Sequence, residues 1–310
     1  MMEGTNRDFI AFGSAMSSLT AWLIYNGSLQ TPKFAELVQW LCRSLQDHDV
    51  HPMPLSNTQV AAVIDGGSTA LRANRPDFVL FWDKDIRLAL QLEALGLRLF
   101  NRSQVVATCD DKSLTHIALS NRGIAMPRTL VAPLVFPGHS EHDGRFVQRA
   151  MDELGLPMVV KECFGSFGAQ VYLVRNEKEL DDLHRRLVHT PHLAQEFIAS
   201  SCGRDVRLQV VGGRVVASVL RTSDHDFRAN ASNGGAMHPF DAPREFVDMA
   251  VRCCNILGAD FAGVDLLFGP EDQPLLCEVN SNAHFKNLYH CTGVDVADAM
   301  ARHMREVMLR

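Results

Sequence analysis

Three oxygen-bearing residues near the C-terminus have the types and spacing for cation chemistry. Residues 260–287 read DFAGVDLLFGPEDQPLLCEVNSNAHFKN. The apolar runs Phe261–Phe268 and Pro274–Val279 flank the breaker Gly269-Pro270-Glu271-Asp272-Gln273, the pattern of a β-hairpin. A turn centred on Glu271-Asp272 with no bulge sets Asp265 directly opposite Glu278. Like charges facing each other across a ladder are destabilising, and a buried carboxylate without a partner is costly, so a cation is expected between them. Strand alternation puts Asn280 on the same face as Glu278. Two carboxylates and an amide oxygen form a hard-oxygen set suited to magnesium held against phosphates. The alternatives are a pair satisfied by nearby arginines, or a bulge that separates the two acids.

A second chemical stretch is VVKECFGSFGAQVYLV, residues 159–174, which reads as strand, small-residue loop, strand. Gly165, Ser166 and Gly168 let a backbone approach phosphate oxygens closely, and Lys161 could reach an α- or β-phosphate. Neither GxxxxGK[ST] nor GxGxxG is present; a plain glycine hairpin with a solvated lysine is the alternative. The connector Gln195-Glu196-Phe197-Ile198 has apolar faces for a base wedged between lobes, with Glu196 or a neighbour free to accept from ribose hydroxyls or an adenine amine. An edge strand with a solvated carboxylate fits that connector equally. Arg204, Arg207, Arg221 and Arg228 follow; arginine forks suit carboxylate and phosphate oxygens. Asp205 and Arg207 share a strand face, and Arg228 sits in a small, polar loop of the kind that covers an anionic site. Beyond the hairpin, Asn282 can face a substrate, Lys286 can pair with its carboxylate, and His284 can titrate near neutral pH; each could equally be a surface residue.

The elements that must position these groups are legible in outline. Trp22–Tyr25 reads as a first strand closed by Asn26-Gly27, then Thr31 offers an N-cap with Pro32 at the first helical position. Val60–Ile64 is expected as a second strand and Phe78–Trp82 as a third, with a helix over Ile86–Leu95 and a short strand at Arg98–Phe100. That alternation suggests a small α/β domain with a parallel sheet over residues 1–108. A helix over Asp111–Asn121, a surface loop at 137–144, strands at 157–161 and 193–198, and a charged helix over Glu177–Val188 follow. Gly212-Gly213 joins strands Asp205–Val211 and Arg214–Leu220 as a hairpin. Helices over Pro243–Leu257 and Val294–Met308 complete the chain.

The 310 residues allow two domains or three lobes. An apolar content of 46% and a charged content of 21% are ordinary for a globular protein. A net charge of −6 leaves no electrostatic footprint for nucleic acid or an anionic membrane. Eight cysteines without CxxC or zinc spacing indicate a reducing cytoplasm. The apolar character of residues 9–27 is broken by Gly13, Ser14 and a Ser/Thr cluster, which argues against a long signal-peptide core. No run reaches the ~18 apolar residues needed to span a bilayer.

These pieces, in this order, resemble the ATP-grasp superfamily, and within it the RimK-like carboxylate–amine ligases. The motifs run from residue 105 to 308: DDKSLTHIALSNRGIAMPRT, VVKECFGSFGAQVYLV, QEFI, GRDVRLQVVGGRVVAS, DFRANASNGG, GVDLL and EVNSN. The ending AHFKN, followed by TGVDV, is also similar to amino-acid ligases of carrier-protein lysine and arginine biosynthesis. The resemblance implies an N-terminal α/β domain (1–108), a central small lobe (109–194) and a C-terminal lobe with the metal site (195–310). It implies that Lys161 and Lys112 contact ATP phosphates, that Gln195 and Glu196 match the adenine hinge, and that Asp205 is the ribose contact. Arg228 and Asn230 match the active-site RxN segment. Asp265, Glu278 and Asn280 match ligands of magnesium (or manganese), and Arg221 resembles the arginine that stabilises an oxyanion. Where the family often has a Ser-Pro-Gly-like run, this chain has Ser281-Asn282-Ala283-His284, a departure that bears on the substrate.

The implied reaction activates a carboxylate as an acylphosphate with ATP and transfers the acyl group to an amine. The expected partners are small amino-acid substrates such as glutamate. Glutamate addition to a protein C-terminus, with a carrier or ribosomal protein as acceptor, is the alternative ligase reading, and a nucleotide-binding regulator without turnover is the rival from another class. A homo-oligomer is compatible with the sequence.

Overall fold

A computed structural model of the chain describes residues 18–60, 63–65, 68–70, 74–139, 144–166, 168–229 and 234–310. The expectation for Asn230 and part of the loop expected at 137–144 fall outside these residues.

The N-terminal segment is built around β5 (Phe78–Trp82), all five residues of which are buried. Burial on both faces is what a central parallel strand requires. It pairs in parallel with β1 (Leu19–Tyr25) and β6 (Leu99–Phe100), and β1 pairs in parallel with β2 (Val50–Ser56). The second strand of this sheet is therefore Val50–Ser56, not Val60–Ile64. Pro52 and Pro54 disguised it, yet proline is tolerated on an edge strand, and β2 is an edge. Val63–Asp65 instead forms β3, paired antiparallel with β4 (Ser68–Ala70). Helix α1 (Pro32–Asp47) starts at Thr31 with Pro32 in its first turn, and buries Leu37, Leu41 and Leu45 on one face. Helix α2 (Ile86–Ala94) packs on the other side of the sheet.

Residues 103–119 form two helices, α3 (Ser103–Asp110) and α4 (Lys112–Leu119), rather than the single helix expected over 111–121. Asp111 breaks them apart in an extended conformation and caps α4, its Oδ1 accepting from the backbone of Ser113 and Leu114. The next antiparallel sheet has the order β7 (Thr129–Val131), β10 (His192–Glu196), β8 (Met158–Glu162), β9 (Val171–Val174). Helices α5 (Arg145–Leu154) and α6 (Glu177–Arg186) bury Phe146, Leu180 and Leu183 against it.

The last sheet is antiparallel, in the order β13 (Ala236–Pro239), β12 (Arg214–Thr222), β11 (Arg204–Val211), β14 (Phe261–Phe268), β15 (Pro274–Asn280). Helix α7 (Arg244–Leu257) covers one face through Phe246, Ala250, Cys253 and Cys254. The short α8 (Lys286–Thr292) and the terminal α9 (Val296–Met308) cover the other, and their apolar residues join one core with α1, β1 and β5. The first and last segments of the chain are thus packed as one body. Among the described residues no helix is long and apolar enough to cross a membrane.

Candidate active site

The sheet order brings charges from four strands onto one face. Arg207 on β11 lies opposite Asp265 on β14, and Asp205 on β11 lies opposite Arg221 on β12. Asp265 in turn lies opposite Glu278 on β15. The Asp265–Glu278 pairing arises differently from the expectation. The turn is centred on Glu271, since Phe268 pairs with Pro274 and Leu266 with Leu276; a one-residue bulge at Cys277 then brings Glu278 into register. Without the bulge Asp265 would face Cys277. A bulge lets two consecutive side chains share a face, and both Cys277 and Glu278 line the cleft.

Asp265 is 1% exposed and is gripped by Arg207, whose Nε and Nη2 each donate at 2.6 Å, and by Arg221 Nη2 at 2.9 Å. Burial opposes its ionisation, but Arg207 and Arg221 outweigh that and hold its carboxyl well below the usual carboxylate range. The arginines thus supply counter-charge to Asp265, while Glu278 Oε1 lies 4.0 Å from Arg207 Nη2. Arg221 also donates to both oxygens of Asp205, at 2.5 and 2.8 Å, so the carboxylate expected to contact ribose is engaged within the protein. Asn280 Nδ2 donates to Glu278 Oε1 at 3.0 Å, which leaves the amide oxygen as a neutral ligand beside the acids. No cluster of three or more His, Cys, Asp or Glu side chains suited to a metal occurs among the described residues. Two carboxylates and an amide fit a hard divalent ion that completes its shell with phosphate oxygens, rather than one held by a full protein cage.

Across the cleft, Lys161 at the end of β8 is 7% exposed, with its Nζ 3.7 Å from Cys277 Sγ. Lys112 Nζ donates to the carbonyl oxygen of Gly165 at 3.3 Å and lies 3.5 Å from that of Cys163, so it braces the glycine loop from below. Gly165 has φ +138°, and a Cβ there would meet the Gln170 side chain at 2.3 Å. Arg228 pairs with Asp226 at 2.6 Å and donates to the carbonyl oxygen of Gly168, linking its own loop to the glycine loop.

Other expected residues are placed with changed roles. Gln195 is 2% exposed, with its side-chain nitrogen 2.8 Å from Thr129 Oγ1 and 3.0 Å from His116 Nε2. Glu196 binds the backbone and side chain of Arg128 at 2.9 and 3.0 Å; Phe197 and Ile198 carry the connector along the cleft. Lys286 pairs with Glu36 of α1. His284 does not titrate near neutrality: burial, then the charges of Lys33, Arg207 and Lys84, push it down to about 4, and its ring meets Phe34 edge-on at 5.3 Å.

Every expected residue among those described, from Lys112 and Ser166 to Asn282 and Lys286, lines one cleft of about 1270 Å³. The sequence reading missed its N-terminal wall, formed by Asn26, Lys33, Phe34, Asp83 and Lys84. Lys84 pairs with Asp110 and lies 3.4 Å from Ser166 Oγ. The available signal was that Asn26 and Asp83 directly follow parallel strands, and the carboxyl ends of such strands are where ligands bind in open α/β sheets.

Residues 109–304 match the family described as the RimK-like ATP-grasp domain. The chain is 32% identical over 289 residues to human N-acetylaspartylglutamate synthase A, covering 88% of this chain and 72% of that protein. It is 37% identical over 224 residues to β-citrylglutamate synthase B of Danio rerio, covering 71% of this chain and 53% of that one; the chain thus spans about half the length of that relative. Among solved structures, the ATP-grasp ligase PsnB complexed with a phosphomimetic variant of its minimal precursor, Mg and ADP superposes with a TM-score of 0.67 at 16% identity. That match covers 94% of this chain and 99% of the other, a likeness of fold.

Proposed function

The chain belongs to the RimK-like ATP-grasp family and is an ATP-dependent carboxylate–amine ligase; from that premise we propose that it joins the amine of glutamate to a small acid bearing more than one carboxylate, through an acylphosphate. The observation that carries this reading is the convergence of the lysines, the glycine loop, the arginine ladder and the acid pair on one cleft. The names of the two relatives, an N-acetylaspartylglutamate synthase and a β-citrylglutamate synthase, support glutamate as one partner and a polycarboxylic acid as the other. Lys33, Lys84 and Arg207 line the cleft, and their positive potential, which adds to burial in depressing His284, favours an acid there.

In this mechanism Lys161 and the glycine loop hold the phosphates of ATP, and Phe197–Ile198 border its base. Asp265, Glu278 and Asn280 would hold a divalent ion, magnesium or manganese, which when bound would supply positive charge against the phosphate oxygens. Arg207 and Arg221 fix the orientation of the Asp265 carboxylate. Arg221, fixed by Asp205, presents a permanent positive charge toward the oxyanion formed when the amine attacks the acylphosphate. Arg228 ties the two covering loops together, which keeps water from the acylphosphate. No side-chain nucleophile is required.

Eight free thiols support a reducing, cytoplasmic setting. A carrier or ribosomal protein as acceptor, and self-association, are separate readings. The test is phosphate release with ATP and magnesium across a panel of acids, including N-acetyl-L-aspartate and citrate, each with L-glutamate, products being weighed by mass spectrometry. The reading expects ADP, phosphate and an amide in equal amounts. Nucleotide binding without turnover on any pair would favour a regulator, and hydroxylamine trapping without amide would favour a carboxylate kinase.

A further inference from the structure

We propose that Asp83 and Asn282 hold the ammonium group of the amine substrate, an inference that rests on the ligase reading and adds a subsite to it. Asp83 follows β5 at the carboxyl edge of the parallel sheet and is 4% exposed. Its Oδ1 accepts from Asn26 Nδ2 at 3.1 Å and from the Lys84 backbone at 2.6 Å. Its Oδ2 is buried without a hydrogen-bond partner among the described residues, although the Asp85 backbone N–H lies near the carboxylate, and Oδ1 of Asn282 is likewise buried and unpartnered. The two residues are joined, since Asn282 Nδ2 donates to the Asp83 carbonyl oxygen at 3.0 Å.

A buried carboxylate oxygen and a buried amide oxygen, both without donors, call for a group rich in donors. An ammonium has three donors and no acceptor, which matches them. Both residues line the cleft, and Asn282 stands two positions beyond Asn280, beside the acid pair where the acylphosphate would form. Other acids around the cleft already have cations: Asp265 has Arg207 and Arg221, Asp110 has Lys84, Glu36 has Lys286 and Glu196 has Arg128. Asp83 has none among the described residues, and burial pushes its carboxyl up, a cost that a bound ammonium would remove.

The experiment compares two nucleophiles in the wild type, Asp83→Asn and Asn282→Leu, using ATP, magnesium and the acid giving most product in the panel above. L-Glutamate arrives as an ammonium, whereas hydroxylamine is mostly neutral at pH 7.5 and needs no such subsite. Loss of a charge-assisted hydrogen bond should raise KM for glutamate about 10-fold or more in both variants. KM for ATP and the rate of acyl hydroxamate formation should stay near wild type. Unchanged KM for glutamate in both variants overturns the proposal. So does a parallel fall of hydroxamate and amide formation, which would mean that Asp83 only braces the Asn26 turn. If Asp83→Asn fails to fold, as judged by its melting curve, Asn282→Leu carries the same comparison. A wild type that forms neither hydroxamate nor amide sinks the ligase reading, and the subsite with it.

Discussion

Replacing Asp205 with leucine tests whether this acid serves the protein or the nucleotide. Arg221 is 3% exposed and, among the described residues, donates two side-chain hydrogen bonds to Asp205 and a third to Asp265. Removing one partner of a buried pair costs about 3–5 kcal/mol because a charge is left uncompensated. Asp265 remains for Arg221, so the low end, about 3 kcal/mol, is expected. For a chain of this size that lowers Tm by about 5 °C. Replacing both residues (Asp205→Leu with Arg221→Met) removes the stranded charge, so the double variant should melt closer to wild type than Asp205→Leu alone. The coupling in the double-mutant cycle should be about 2–3 kcal/mol. Thermal melting followed by circular dichroism is the assay, with KM for ATP measured alongside. Additive single effects would refute the argument, as would an unchanged Tm combined with a selective rise in the ATP requirement; the latter would return Asp205 to the ribose.

Two further outcomes follow from the same geometry. Lys161→Ala removes a buried amine that lines the cleft beside Cys277 and should raise KM for ATP about 10- to 100-fold; an unchanged ATP dependence in steady-state kinetics would remove Lys161 from the site. His116 and His284 are each pushed down from 6.5 to about 4, in both cases by burial first. Between those values the unfolded chain binds protons that the folded one does not, so stability should fall as pH drops from about 6.5 to 4. Urea melts across that window should show the loss, and His284→Gln should flatten part of it; a slope unaffected by this substitution would contradict the assignment.

Much of the site was legible because its chemistry is local in sequence. The hairpin carrying Asp265, Glu278 and Asn280, the glycine loop after Lys161 and the Gly212-Gly213 turn each announce themselves within a few residues. What escaped depends on partners distant in the chain. The grip of Arg207 on Asp265 requires knowing that β11 lies beside β14, which no alternation within one strand reveals. The bulge at Cys277 was invisible because an opposite offset in the turn cancels it. His284 has the composition of a neutral-pH switch, but Phe34 and Lys33 from α1 set its environment. Val50–Ser56 failed to read as a strand because its two prolines are tolerable only at an edge, and edge position is a property of the assembled sheet.

The central claim is that the facing acids Asp265 and Glu278 hold a divalent ion together with a nucleotide. Titrating Mn2+ in the presence of ADP, and following the free ion by electron paramagnetic resonance, measures this directly. The wild type should take up Mn2+ with a strong dependence on ADP, and a variant carrying Asp265→Asn and Glu278→Gln should bind it at least about 10-fold more weakly while still binding ADP. Equal Mn2+ uptake by the two proteins would contradict the account.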